Sequence, residues 1–258
     1  MGIGKRIGVM IAVLMVAGCA NKPEGLQSVI DRTAVPAKVW QSGATEVDGW
    51  TLAIARKGMG HPVRIYIEGD GRAYLNRTTP SSDPTPFNPV GLKLALKDSH
   101  DNVLYIARPC QWEMGTQCRD IRGLWTQKRF IMPVVDQYAV LIMRETEGRP
   151  VELVGFSGGA WIALQVAARL QNVTKVVTVA GNLAPDWVNA QHRVTPMPVE
   201  PYPQGRLAEL PVEAYIGTMD KVVTAGVVDA YREQTGARNV KVIEHYATHT
   251  KGWETLAF

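Results

Sequence analysis

The chain has 258 residues, 46% of them hydrophobic and 20% charged, with a formal net charge of +4 at pH 7. That length suffices for one sizeable domain with a full core, and no internal repeat or low-complexity tract interrupts it. The charge excess is too small to point to nucleic acid as a partner or to electrostatic attachment to a membrane.

At the N-terminus, Lys5 and Arg6 precede an apolar run, residues 7–17, too short to span a bilayer as a permanent helix. The run closes on Val16-Ala17-Gly18-Cys19, which resembles the bacterial lipobox. The resemblance implies that residues 1–18 are a signal peptide and that Cys19 becomes a diacylated N-terminus. By the sorting rule of that family, Ala20 in place of Asp after the cysteine points to the outer membrane of the cell envelope, facing the periplasm. The competing reading is an ordinary secretory signal with a chance cysteine. Removal of residues 1–18 leaves 240 residues at a net charge of +2, so membrane contact is expected through the lipid. Residues 19–36 are polar and Pro-containing and read as anchor and tether, with the domain at 37–258.

Strand-like segments follow at 49–56, 62–71, 102–109, 151–157, 175–181, 211–217 and 239–246, each rich in Val, Ile, Leu or aromatic residues. Several are nearly continuous apolar runs, as parallel strands covered on both faces require. Helical periodicity lies between them: 133–145 puts Val134, Tyr138, Leu141 and Ile142 on one stripe, and 160–170 spaces Ile162, Val166 and Leu170 by four. The alternation predicts an α/β fold with a mainly parallel central sheet and helices on both faces. Two Pro-rich segments, 77–91 and 182–205, break the pattern after strands and read as pocket walls or lids, or else as plain surface loops. Cys110 and Cys118 form an even pair in an exported chain, which favours a disulfide over metal ligation because no further Cys or His clusters nearby.

The chemistry centres on Gly155-Phe156-Ser157-Gly158-Gly159. The pattern is short enough for chance to supply, but it ends an apolar strand and opens an amphipathic helix, as a nucleophile elbow does. Glycines two before and two after the serine remove side chains that the elbow would crowd. Ser157 therefore reads as a nucleophile, needing a base and an acid to orient that base. Asp220 follows a later strand in a Gly-x-x-Asp turn, and His249 lies in the loop beyond the last strand. His245 falls inside that strand and reads as a packing residue, while His61, His100 and His192 come in the wrong place in the chain. Asp229 and Asp186 are weaker choices for the acid. The Gly158 N–H is the first expected oxyanion donor, and the second is expected from Glu68-Gly69-Asp70-Gly71, at Asp70 before Gly71.

Taken together, "IYIEGDGRAYL", "LYIARPCQW", "LVGFSGGAWIAL", "TVAGNLAPDW" and "HTKGW" resemble the α/β-hydrolase superfamily, most of all a proteobacterial group of exported or lipid-anchored hydrolases. The resemblance spans about residues 45–255 and places Ser157, Asp220 and His249 at the triad positions. The chain departs from it at Glu68, where many members carry the histidine of an HG turn. The expected function is a serine hydrolase acting on a carboxylic ester or thioester of a small-molecule or lipid-like acyl substrate, with no metal or organic cofactor. A peptidase would use the same residues, and a non-catalytic envelope lipoprotein is the reading from another class. Trp112, Phe156, Trp161 and Trp187 are candidates to line an acyl site, or core and lid packing.

Overall fold

Near-continuous apolar strands can bury both faces only inside a sheet with helices on either side, and that is the arrangement found. The computed structural model describes residues 23–34, 39–256 and 258; the expected signal peptide and Cys19 lie outside the described residues. The strands are β1 (Trp40–Val47), β2 (Trp50–Lys57), β3 (Arg64–Ile67), β4 (Val103–Ile106), β5 (Val151–Phe156), β6 (Val173–Val179), β7 (Val212–Gly217) and β8 (Val240–His245). They form one sheet in the order β1-β2-β4-β3-β5-β6-β7-β8. Pairs β1–β2 and β2–β4 are antiparallel; all the others are parallel.

Strand β1 is absent from the sequence reading because "WQSGATEV" has neither an apolar run nor a clean alternation. It needs neither, since it is an edge strand with only Trp40 and Val47 buried. Its pairing is set by the Asp48-Gly49 turn, both residues at positive φ, which matches the twist of a two-residue hairpin. At the centre, β3 and β4 are buried along their whole length. They span only four residues each, because the chain peels away at Glu68 and Ala107 to build loops above the sheet edge.

The helices are α1 (Leu26–Thr33), α2 (Val90–Leu96), α3 (Gln117–Asp120), α4 (Met132–Thr146), α5 (Gly158–Ala167), α6 (Pro185–Gln191) and α7 (Val227–Thr235). The period-two geometry of the strands divides the core. Ile65, Ile67, Leu104 and Ile106 face the layer of α4, α5 and α7, while Tyr66, Tyr105 and Val103 face α1 and α2. Helix α5 is buried on every side, all ten of its residues included, and its one polar side chain, Gln165, donates to Glu200 O.

Two expectations change here. The tether at 19–36 contains α1, whose Leu26, Val29 and Ile30 are buried in the α2-side core. Spacing of i, i+3 and i+4 puts these three on one face, and Gln27 Oε1 accepts hydrogen bonds from Ser42 N and Oγ, at 3.0 and 2.8 Å. The packed unit therefore includes residues from Leu26, not from 37. Segment 182–205 is not an open loop either: it holds α6, and its Tyr202 is buried against Trp161 and Tyr231 with its hydroxyl on Leu183 O at 2.6 Å.

Below the sheet, Asp98 has a wholly buried carboxylate that accepts from Arg64 Nη1 (3.0 Å), Tyr66 Oη (2.7 Å), and His100 N and Nδ1 (2.8 and 2.7 Å). Burial alone would raise its pKa, but the His100 backbone, the Tyr66 hydroxyl and the Arg64 charge outweigh it, and the carboxyl sits below its ordinary value. A depressed carboxyl contributes stability that is full above the unfolded pKa of about 4 and is lost as pH falls through the folded value. Asp98→Asn is expected to lower stability at neutral pH and to flatten the acid limb of a stability–pH curve measured by urea unfolding. An acid limb unchanged by the substitution would contradict this account.

Candidate active site

The sharp turn between β5 and α5 sets the geometry. Ser157 has φ 48° and ψ −121°, a conformation that costs a non-glycine residue about 1–3 kcal/mol. The turn is sewn in place by Ser157 N–H on Val179 O (3.0 Å) and by Asn182 N–H and Ala160 N–H on Ser157 O (2.9 and 3.0 Å). The glycines are needed for space. A Cβ on Gly155 would stand 2.4 Å from Ala160 Cα, and one on Gly159 would stand 2.4 Å from the carbonyl oxygens of Ile67 and Glu68.

Three loops on the same sheet edge meet at the serine. Beyond β7, Asp220 closes a turn with its N–H on Gly217 O (3.0 Å), and its Oδ1 accepts from Val222 N–H (2.7 Å) and Val223 N–H (3.0 Å). Its Oδ2 accepts from His249 Nδ1 at 2.8 Å. That bond fixes the tautomer and leaves His249 Nε2 to accept from Ser157 Oγ–H at 2.9 Å. Burial acts to raise the Asp220 pKa, yet the His249 hydrogen bond and charge and the two backbone donors hold it below the ordinary carboxylate range. Asp220 is thus an anion at neutral pH. The His249 ring packs on Phe156, centroids 5.6 Å apart, and the His249 carbonyl accepts from Trp253 Nε1 at 3.1 Å.

The other titratable candidates have structural partners. His245 stacks on Trp253 with Nε2 on Gly252 O at 2.8 Å, and so shapes the loop that carries His249. His100 belongs to the Asp98 network, His61 Nδ1 meets Glu145 O, and His192 Nε2 meets Val222 O. Asp229 pairs with Arg232 on α7, and Asp186 lies on α6, where burial raises its carboxyl.

The loop after β3 passes close beside the serine. A Cβ on Gly69 would stand 2.8 Å from the Phe156 ring and 3.1 Å from Ser157 Cβ, so only glycine lets this backbone approach. Gly69 is held at both ends: its N–H donates to Glu68 Oε1 (2.9 Å) and its carbonyl accepts from Gln111 Nε2 (2.9 Å). Carbonyl and N–H of a trans peptide point in opposite directions, so Gln111 aims the Asp70 N–H away from itself. Among the described residues, the N–H groups of Asp70, Gly71 and Gly158 meet no acceptor.

Glu68 explains the departure from an HG turn. Its buried carboxyl accepts from Gly69 N–H, from Gly91 N–H (3.1 Å) and Leu92 N–H (3.0 Å) at the start of α2, and from Tyr105 Oη (3.1 Å). It ties the loop to a helix. Burial pushes its carboxyl up from the ordinary value, with these donors opposing.

The Asp70 side chain has a role that the sequence does not signal. Its carboxylate covers Gly158, where a Cβ would stand 2.2 Å from Oδ1, and it is clamped by Arg108 Nη1 and Arg129 Nε, each at 2.7 Å. Gln111, next to Cys110 in the disulfide with Cys118, is likewise invisible to motif reading.

Ser157 and His249 open into a cleft of about 400 Å³, walled by the Asp70–Arg72 loop, Phe87, Phe156 and Val222. Segment 77–91 supplies Pro86, Phe87 and Asn88 to this wall, as expected of it, whereas segment 182–205 supplies nothing. Of the four aromatics considered from sequence, Phe156 lines the cleft. Trp161 is core, Trp187 packs partly buried against the same core, and Trp112 packs edge-on to Tyr105. Among the described residues, no three His, Cys, Asp or Glu side chains gather as metal ligands would.

The mainly parallel eight-stranded sheet with helices on both faces is the α/β-hydrolase fold. The sequence matches no protein-family model and no curated protein. Solved structures are. Lip1, a lipase candidate of Acinetobacter baumannii AYE, shares 14% identity at a TM-score of 0.56, over 92% of this chain and 94% of that one. The Pyrococcus furiosus esterase Pf2001 shares 15% at 0.53, over 91% and 93%. A bacterial membrane phospholipase A described as a virulence factor shares 14% at 0.52, over 89% and 86%. At such identities the likeness establishes the α/β-hydrolase fold.

Gly159→Ala must force a methyl against two backbone carbonyls that cannot yield without moving β3. It is expected to destabilise the protein by at least about 2 kcal/mol in denaturant unfolding. Gly205→Ala meets no atom within 4 Å, carries only the strain of φ 104°, and is the control.

Proposed function

We propose that the protein is a serine hydrolase that cleaves a carboxylic ester or thioester through an acyl-enzyme. The observation that carries this reading is the continuous chain Ser157 Oγ, His249 Nε2, His249 Nδ1, Asp220 Oδ2, with links of 2.9 and 2.8 Å, beside N–H groups lacking acceptors. His249 takes the Ser157 proton as Oγ attacks the carbonyl carbon. Asp220, already an anion, steadies the imidazolium and keeps Nε2 facing the serine. The negative charge that develops on the carbonyl oxygen is received by the N–H of Gly158 and of Asp70, the first of them at the positive end of α5. His249 then protonates the leaving alcohol or thiol. Water repeats the sequence on the acyl-enzyme, releasing the acid and free Ser157. No step calls for a metal or an organic cofactor.

The electrostatics of the second donor support this assignment. An unpaired carboxylate beside the oxyanion would oppose it. With Arg108 and Arg129 both bound to Asp70, the trio carries one net positive charge. The residues of segment 1–19 support export and lipid attachment at Cys19 on the sequence pattern alone.

A fluorophosphonate probe is expected to label the protein without residues 1–19, and Ser157→Ala to abolish labelling; equal labelling of the variant would remove Ser157 from the site. Asp220→Asn, which leaves the geometry but not the charge, is expected to lower kcat on a 4-nitrophenyl ester by roughly 10³- to 10⁴-fold. For the anchor, radiolabelled palmitate should enter the full chain made in a bacterium and fail to enter Cys19→Ser.

A further inference from the structure

The walls of the catalytic cleft carry four Asp, Glu, His or Arg side chains, and three of them are already answered. Glu68 is closed off by four donors, Asp70 by two arginines, and His249 by Asp220. The fourth is Arg72. Among the described residues no carboxylate pairs with it and its side chain donates no hydrogen bond, while its Nε lies buried without a partner. It is not a side chain wandering in solvent. Its N–H is fixed on Pro84 O at 2.8 Å and its guanidinium carbon lies 4.4 Å above the Phe87 ring. The preceding Gly71 has φ 63°, and a Cβ there would stand 2.2 Å from Pro84 O, so the backbone that presents Arg72 is set by contact as well.

A stacked guanidinium with an unmet fork of donors suits one kind of ligand: a planar carboxylate or a phosphate, either of which it binds through two parallel N–H bonds. The stack on Phe87 keeps the fork pre-organised without neutralising it. Burying an Arg Nε with no acceptor is unfavourable in the empty protein, and a ligand oxygen would offset it.

We propose that Arg72 recognises an anionic group on the substrate, so that the preferred ester carries a carboxylate or phosphate on its acyl or alcohol half. This inference rests on the esterase reading above and deepens it. The anion would lie against the Arg72–Phe87 wall while the ester carbonyl reaches Ser157 from the same cleft.

The test uses matched ester pairs that differ in one charge. On the acyl side, mono-4-nitrophenyl glutarate is compared with 4-nitrophenyl pentanoate. On the alcohol side, 4-acetoxybenzoate is compared with its methyl ester, and 4-acetoxyphenyl phosphate separates phosphate from carboxylate. For at least one pair, kcat/KM for the anionic member is expected to exceed that for the neutral one by tenfold or more. Arg72→Met should bring that ratio close to one, Arg72→Lys should restore part of it, and added salt should lower it in the unaltered protein. Ratios at or below one in the unaltered protein, or ratios that Arg72→Met leaves in place, overturn the proposal. A second arm does not depend on turnover: monomethyl glutarate and inorganic phosphate are titrated calorimetrically into the Ser157→Ala protein, with and without Arg72→Met. Heat that vanishes with Arg72 supports the site even if no ester is cleaved, and absence of heat for both ligands counts against it. Failure of fluorophosphonate labelling would strike at the esterase reading, whereas labelling without charge preference would strike at Arg72 alone.

Discussion

The backbone at Ser157 is the constraint around which the rest of the molecule is arranged. A non-glycine residue at φ 48° persists only when its surroundings determine it, and here they do so from three sides. The strand before it is central and fully paired, the helix after it is buried on every face, and the β3 strand presses against Gly159. The same crowding that strains the serine places its hydroxyl above the sheet edge and its neighbour's N–H at the start of a helix. Strain and the placing of the hydroxyl are two readings of one turn.

Around this turn, charge is balanced pair by pair. Asp220 is ionised because one imidazole and two amides make it so. Asp70 lies over the serine's neighbour only because Arg108 and Arg129, from two further loops, hold it there. Glu68 replaces the imidazole expected in an HG turn with a carboxyl that caps α2 and holds Gly69. That exchange moves a potential donor out of the site and turns the residue into a brace. The peptide beyond it is then aimed by Gln111, which the Cys110–Cys118 disulfide fixes in its loop between two residues at positive φ. Such a short covalent loop contributes roughly 2–3 kcal/mol to stability. Its position gives it a second effect, since the amide it immobilises sets the direction of the Asp70 N–H.

Much of this arrangement was legible in the sequence where one local rule decides the outcome. Buried parallel strands need apolar runs, an elbow needs glycines at fixed offsets, and an acid and a base must follow in loops at the same edge. Strand β1 escaped because an edge strand is held by backbone pairing and asks little of its side chains. Helix α1 escaped because its apolar face is three residues wide and reads as a polar linker until α2 supplies the surface. The Asp70 clamp could not be read at all: its arginines lie 38 and 59 residues away, and neither carries a motif. Arg72 is illegible for the opposite reason, since what distinguishes it is the lack of a partner.

The order of the strands has a consequence for how the molecule comes to life. Ser157 is made from the middle of the chain, but the imidazole beside it lies 92 residues later, beyond the last strand. On the proposed mechanism, a chain still emerging from its ribosome holds the elbow before the imidazole that would accept its proton. Only when β8 docks against β7 and the loop beyond it folds back does Ser157 gain the imidazole as a hydrogen-bond partner. On the proposed mechanism, a fragment ending before His249 would lack the proton acceptor, and reactivity at Ser157 would report that β8 and the loop beyond it have docked.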